Sequence, residues 1–179
     1  SPSLIQGFKP CGGGDPAGKA RELLDKLKKM EGEEPDEKAK IWAEKRTLGS
    51  PEEGFKQLAK NIRGALTQDL ALYTMNNGNL EAARNLSIES AEIAEELERW
   101  ENYLVARSLA ERCSVLQAKS LDELKEKARA FEKLWEEARK LRMPTAPYLK
   151  VEAGILACYL AYLTLEGRVE EVSELLREK

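Results

Sequence analysis

The segment "NNGNLEAA", residues 76–83, separates two amphipathic stretches and decides how the chain is organised. Before it, apolar side chains recur at three- and four-residue intervals over residues 55–73, which marks one face of a helix. Gly78 is a helix stop, and Asn79 is a favourable N-cap for the helix that follows. The segment therefore predicts a helix, a tight turn and a second helix that folds back on the first.

Two later stretches have the same layout as residues 64–98. Residues 103–141 turn at "AKSLDEL", and residues 148–179 turn at "LEGRVEEV". Helix pairs of this length that follow one another are typical of α-solenoids, in which each pair buries its apolar face against its neighbours. An irregular helical bundle would show the same alternation, so both architectures remain open.

The rest of the chain also predicts helices. Asp15 as N-cap and Pro16 at the first helical position predict a helix over residues 15–32. A second helix is expected over residues 35–48, and "SPEE" from Ser50 is a capping box that opens the third. Since no run of β-branched residues alternates with period two, we predict an all-α chain of about eight helices. Three finer expectations are a turn near residues 101–102, a single helix over residues 120–141, and close helix packing on the small-residue face that holds Gly154, Ala157, Cys158 and Ala161.

In domain terms, residues 1–14 contain two prolines and four glycines and predict a flexible arm. Residues 15–179 predict one helical domain, in which residues 15–63 supply the N-terminal helices and residues 64–179 the helix pairs. The charged fraction of 34%, rich in Glu, Lys and Arg, is typical of thermophile proteins. The net charge of −3 favours neither a membrane surface nor nucleic acid, and the apolar stretch 148–165 is predicted to be a buried helix.

The absence of histidine excludes the Ser-His-Asp and Cys-His nucleophile systems and the His-containing zinc motifs. Cys11, Cys113 and Cys158 have no C-x-x-C spacing, so no zinc ribbon or dithiol motif is expected. Cys113 and Cys158 lie among apolar residues and are predicted to fill the core, which fits a reducing, cytoplasmic setting. No catalytic residue, metal ligand or cofactor site is predicted, and the chain is not expected to be an enzyme.

The stretch "GGDPAGKA", residues 13–20, matches the phosphate-binding pattern G-x-x-x-x-G-K. However, Ala20 stands where that pattern needs a Ser or Thr to bind Mg²⁺, and no strand precedes the glycines. The start of a helix at Pro16 explains the same residues. We therefore predict no nucleotide site at Lys19.

The turns Gly78-Asn79-Leu80 and Gly167-Arg168-Val169 resemble the inter-helix turn of the tetratricopeptide repeat (TPR). The first is also followed by the expected small residue, Ala83, whereas the middle turn lacks the glycine and the three turns are spaced more widely than the ~34 residues of that family. The resemblance covers residues 64–179. It implies a helical scaffold that binds a partner.

The predicted function is accordingly a non-enzymatic scaffold that binds another protein or a second copy of itself. Its candidate contact residues are Tyr73, Arg107 and Tyr159, one on the first helix of each pair, because aromatic and Arg side chains dominate interface energetics. The alternative is a small subunit of a nucleic-acid complex that uses the basic helices of residues 15–46, where Trp42 lies among Lys and Arg. Acidic residues interleave with that basic set, which favours the protein partner.

Overall fold

The computed structural model describes residues 15–32, 37, 41, 51–141 and 145–178, and these ranges contain helices and short turns but no strand. The prediction of an all-α fold is confirmed for this part of the chain. In order, the helices are α1 (Pro16–Gly32), α2 (Pro51–Asn76), α3 (Leu80–Glu96), α4 (Trp100–Leu116), α5 (Leu121–Ala128), α6 (Ala130–Leu141), α7 (Ala146–Leu165) and α8 (Val169–Arg177).

Two predicted segments lie outside the described residues. They are the N-terminal arm, residues 1–14, and nearly all of the helix expected over residues 35–48. Within the latter only Glu37 and Ile41 are described, and both are helical and exposed. The capping box at Ser50 also lies outside, so α2 is described from its first helical residue, a proline.

Side-chain caps begin three of the helices. Asn79 Oδ1 accepts the Ala82 N–H at 3.2 Å, as its sequence position predicts. Ser120 Oγ accepts the Glu123 N–H at 3.1 Å, and Glu123 Oε2 accepts the Lys119 N–H at 3.0 Å. The second predicted capping box is therefore confirmed, with its carboxylate reaching the residue before the cap. At α7, Thr145 Oγ1 accepts the Tyr148 N–H at 3.3 Å.

Three helices end in the same hydrogen-bonded turn, at Gly78, Glu98 and Gly167. In each, the N–H of that residue bonds to the carbonyl three residues back, and the next N–H bonds to the carbonyl five residues back. This is the Schellman motif, which needs a left-handed residue, and the φ angles are 87°, 53° and 72°. The turn expected near residues 101–102 was therefore placed too late: Glu98 adopts a conformation for which glycine is the usual signal, and α4 already begins at Trp100.

The helix predicted over residues 120–141 is divided at Arg129. Its N–H still bonds to the Lys125 carbonyl at 3.2 Å, but its own carbonyl accepts the Glu132 N–H at 3.0 Å. That bond spans three residues rather than four, so the chain tightens locally and bends. The buried side chains on the two sides of the bend, Ala128 and Phe131, enter one apolar cluster.

Each helix packs against the next along the chain. The first helices of consecutive pairs also contact each other, α2 with α4 and α4 with α7. The helices enclose one apolar cluster between α1 and α2, a second among α2, α3 and α4, and a third among α4, α6 and α7. The described chain is therefore a series of packed antiparallel helix pairs.

Helix α7 is the most apolar element and begins at Ala146, two residues earlier than predicted, because Thr145 caps it. By length and composition it is the one described helix that could cross a membrane, with a mean hydropathy of 1.3. One face, with Ile155 and Leu163, is buried in the third cluster.

On the opposite face of α7, the prediction that small residues allow close packing of another helix is wrong. Gly154, Ala157 and Ala161 are exposed, and Cys158 is half-buried. A Cβ atom placed on Gly154 would meet nothing within 4 Å. Small side chains here leave the helix surface open instead of bringing another helix close.

Candidate partner-binding groove

A groove of about 370 Å³ opens where α2, α3 and the start of α4 meet. It lies between α2 and α4, the first helices of two consecutive pairs. The lining residues are Asn61, Gly64, Ala65, Gln68 and Asp69 from α2, Ser90, Ile93 and Ala94 from α3, Leu97 and Arg99 from the following turn, and Asn102 and Val105 from α4. Its volume lies at the lower end of the range for ligand-binding clefts.

The floor of the groove is made by close contact between α2 and α3. A Cβ atom placed on Gly64 would lie 2.9 Å from Ile93 Cγ2, so the glycine lets the two helices approach. Next to this contact, the buried Ser90 Oγ donates a hydrogen bond to the Gly64 carbonyl at 2.9 Å. In the sequence, Gly64 lowers the helix propensity of α2. In the structure, it is the position at which α3 packs closely on α2.

Carboxamide side chains line both walls. Asn61 and Gln68 are seven residues apart and share a face of α2, while Asn102 belongs to α4. Gln68 is half-buried, and its Oε1 atom is shielded from solvent with no hydrogen-bond partner within the described structure. A shielded carbonyl oxygen without a donor destabilises the folded state, and a ligand that donates to it would remove that penalty.

Two groups of opposite charge border the carboxamides. Asp69 lies on the α2 wall, and Arg99 is exposed at the rim. Two ion pairs lie near the groove, Lys60 with Glu96 and Arg63 with Glu89. With one acid and one base among its lining residues, the groove carries no net charge.

The three predicted contact residues lie outside this groove. Tyr73 is half-buried and packs on the cluster between α1 and α2. Arg107 Nη2 bonds to Glu111 Oε1 at 3.3 Å on the same helix, and its Nε has no partner in the described structure. Tyr159 is 8% exposed and lies in the third cluster.

The surroundings of Tyr159 show that it contributes to packing. Its ring stacks between Trp135 and Tyr162, with ring centroids 6.5 Å apart on each side. Arg139 and Arg168 cover the two ends of the row, over Trp135 and Tyr162. The stacked rings join α6 and α7, and Arg168, the residue before α8, connects the row to that helix.

The remaining candidate groups have ordinary surroundings. Lys19 is an exposed residue in the first turn of α1. Cys113 is fully buried as predicted and Cys158 is half-buried; burial raises the pKa of each thiol, which keeps both protonated and weakly nucleophilic at neutral pH. In the part of the chain described, no cluster of three or more Cys, Asp or Glu side chains is placed to bind a metal ion.

A signal for the groove was present in the sequence. Asn61, Gly64 and Gln68 interrupt the apolar pattern of α2 with polar or small residues on one face of the helix. The same pattern is typical of a solvated helix face, and only the position of α4 distinguishes a groove wall from such a face. No protein-family model, curated protein or solved structure matches this chain.

Proposed function

We propose that this protein is a non-enzymatic helical scaffold, organised as a short α-solenoid, that binds a segment of another protein in the groove between α2, α3 and α4. The observation that supports this most directly concerns Gln68, a residue that lines the open groove and whose shielded Oε1 has no donor in the described structure. Around it, Asn61 and Asn102 supply further donors and acceptors, and Ala65 and Val105 supply apolar surface.

The solenoid part of the proposal is supported by how the pairs follow one another. The same turn joins the helices of the first and third pairs, at Gly78 and Gly167, and joins the first pair to the second at Glu98. The first helices α2, α4 and α7 contact one another in sequence. In a solenoid, first helices that lie side by side form a continuous inner surface, and two of them, α2 and α4, line the groove here.

The charge pattern of α1 favours a protein partner over nucleic acid. Five basic side chains are exposed on α1: Lys19, Arg21, Lys26, Lys28 and Lys29. Glu22 and Asp25 are exposed among them, so the described helix carries no continuous basic stripe. A stripe of that kind supplies most of the affinity of proteins that bind the phosphate backbone.

The test uses a photo-crosslinking amino acid in place of Ala65, which is exposed in the groove. We expect it to capture a specific protein from the source cells, and we expect Asn61→Trp in the same chain to abolish that capture by filling the groove. The matched control carries the crosslinker at Ala157 on the exposed face of α7 and should not capture the same protein.

Two results would overturn the proposal. One is capture that Asn61→Trp leaves unchanged, because the partner would then bind elsewhere. The other is salt-sensitive binding of RNA or DNA with no groove-dependent protein recovered, which would establish the nucleic-acid alternative. Capture of a second copy of this chain through the groove would identify self-association as the activity, and light scattering would give the oligomeric state.

A further inference from the structure

We propose that Gln68 recognises the peptide backbone of the bound segment, by accepting a hydrogen bond from a main-chain N–H group in an extended stretch of polypeptide. The inference rests on the function proposed above and specifies which chemical group of the partner the groove recognises. It begins from the one side-chain oxygen in the described structure that is shielded from water without a hydrogen-bond partner.

What can donate to this oxygen is limited by its surroundings. An anionic group would be drawn to the exposed Arg99 at the rim, and a cationic group would lose its hydration on reaching a shielded oxygen. A neutral N–H donor pairs with a carboxamide oxygen without any charge being desolvated. The neutral N–H that every protein segment carries is its own backbone amide.

The other carboxamides extend the same chemistry along the groove. Each amide side chain offers both a donor and an acceptor, as a peptide group does, so Asn61 and Asn102, which line the same groove, can pair with further backbone carbonyl and N–H groups. A helical segment uses its backbone groups internally and would leave Gln68 without a donor. The occupant is therefore extended.

Gln68 also has the freedom that this role needs. The residue is half-buried, so part of its side chain faces the groove while Oε1 is shielded. The torsion that orients a glutamine amide is broad, so the amide can turn Oε1 toward a ligand without leaving a rotamer well. Binding then exchanges an unpaired acceptor for a paired one.

The experiment uses two side-chain-free probes that differ only in their N–H groups. One is acetyl-Gly-Gly-N-methylamide, and the other is its fully N-methylated counterpart, acetyl-Sar-Sar-N,N-dimethylamide. Each is titrated into the full chain while ¹⁵N–¹H NMR spectra follow the side-chain amides. We expect saturable shifts of the Gln68 amide with the glycine probe, and binding at least about fivefold weaker for the sarcosine probe.

The variant Gln68→Met keeps the length of the side chain and removes both polar atoms. It should weaken binding of the glycine probe about fivefold, the size of one net hydrogen bond. Gln57→Met, at an exposed position of the same helix outside the groove, should leave binding unchanged. The melting temperature of Gln68→Met should equal or exceed that of the wild type, because the substitution removes an unpaired buried oxygen, whereas a structural glutamine would lower it.

The outcomes separate this inference from the proposed function. Equal binding of the two probes, no saturable binding of either, or an unaffected Gln68→Met variant would overturn backbone recognition. If groove-dependent capture of a partner persists in those cases, the scaffold function stands and the groove recognises side chains of the partner. If the probes bind as expected but Asn61→Trp does not change partner capture, the proposed function is wrong, while peptide binding at Gln68 remains.

Discussion

Arg63 on α2 holds Glu31, in the last turn of α1, through two hydrogen bonds: Nε donates to Oε2 at 2.5 Å and Nη2 donates to Oε1 at 3.0 Å. A third nitrogen of the same guanidinium, Nη1, lies 3.5 Å from Glu89 Oε1 on α3. The hydrogen bond to Glu31 raises the pKa of Arg63 above its ordinary value, so the group stays charged. One side chain thus connects three consecutive helices.

Replacing Arg63 should therefore destabilise the chain even when the positive charge is kept. We expect Arg63→Lys to lower the free energy of unfolding by about 1 kcal/mol, because an ammonium cannot hold Glu31 by two parallel bonds, and Arg63→Ala to lower it by about 2 kcal/mol. Urea denaturation measures both. The control is Lys60→Ala, which removes a more exposed ion pair with Glu96 and should cost less than about 0.5 kcal/mol. A lysine variant as stable as the wild type would contradict the two-bond argument.

Glu98 is the one described non-glycine residue with a positive φ, and it occupies the position that Gly78 and Gly167 take in the other two turns. We expect Glu98→Gly to raise the free energy of unfolding by about 0.5–1 kcal/mol, because glycine adopts this conformation without a Cβ clash. The matched change, Gly78→Ala, should lower stability by a similar amount. Thermal unfolding followed by circular dichroism compares them. If Glu98→Gly is destabilising, a contact made by the Glu98 side chain outweighs the backbone effect.

The capping carboxylate of Glu123 should make part of the stability depend on pH. The hydrogen bond from the Lys119 N–H, followed by the interaction with Lys127, lowers the pKa of Glu123 below 4.5. The folded state thus favours the ionised form, and its stabilising effect is complete above the pKa of the unfolded chain and is lost as pH falls through the folded-state pKa. Glu123→Gln should lower the melting temperature at neutral pH and match the wild type at a pH low enough to protonate Glu123 in the folded state.

Glu126 supplies the control for this titration, because it is an exposed glutamate on the same helix. The change Glu126→Gln should alter the melting temperature at neutral pH by less than Glu123→Gln does. A Glu123→Gln deficit that is the same at neutral and acidic pH would mean that the cap acts through its shape and not its charge.

The floor of the groove can be tested by a double-mutant cycle. Gly64→Ala should lower the free energy of unfolding by about 1 kcal/mol, since the new methyl group would press on Ile93 although alanine is the better helix former. In an Ile93→Ala background the obstacle is gone, and the same substitution should become stabilising by about 0.5–1 kcal/mol. Additive effects of the two changes would show that Gly64 and Ile93 are not in contact in solution.

The sequence predicted those features that local chemistry determines. Asn79 and Ser120 cap helices because a short polar side chain before an apolar run has a backbone N–H within reach, whatever the tertiary structure. The same holds for the stops at Gly78 and Gly167. The left-handed turn at Glu98 was missed because glutamate, unlike glycine, gives no signal for a positive φ.

The candidate site was harder to predict, because it depends on which helix faces are covered. Tyr159 has the composition of an interface residue, but the neighbouring helices bury it. In the sequence, Gln68 and Asn61 have the pattern of solvated surface residues. They line a groove only because α4 lies opposite them in the fold. Periodicity identifies an apolar face, but it does not tell which polar residues another helix will enclose.

The last helix, α8, has no fully buried residue, and only Val172 and Leu175 pack on the apolar cluster beneath it. Arg168 fastens its start, through ion pairs with Glu132 and Glu171 and contact with the Tyr162 ring. We therefore expect α8 to open as a subglobular unit, at a free energy below that of global unfolding. Its amide protons should exchange with deuterium sooner than those of α6 and α7, whose own aromatic core stays closed. Each such opening would briefly expose to solvent the apolar cluster that Val172 and Leu175 cover.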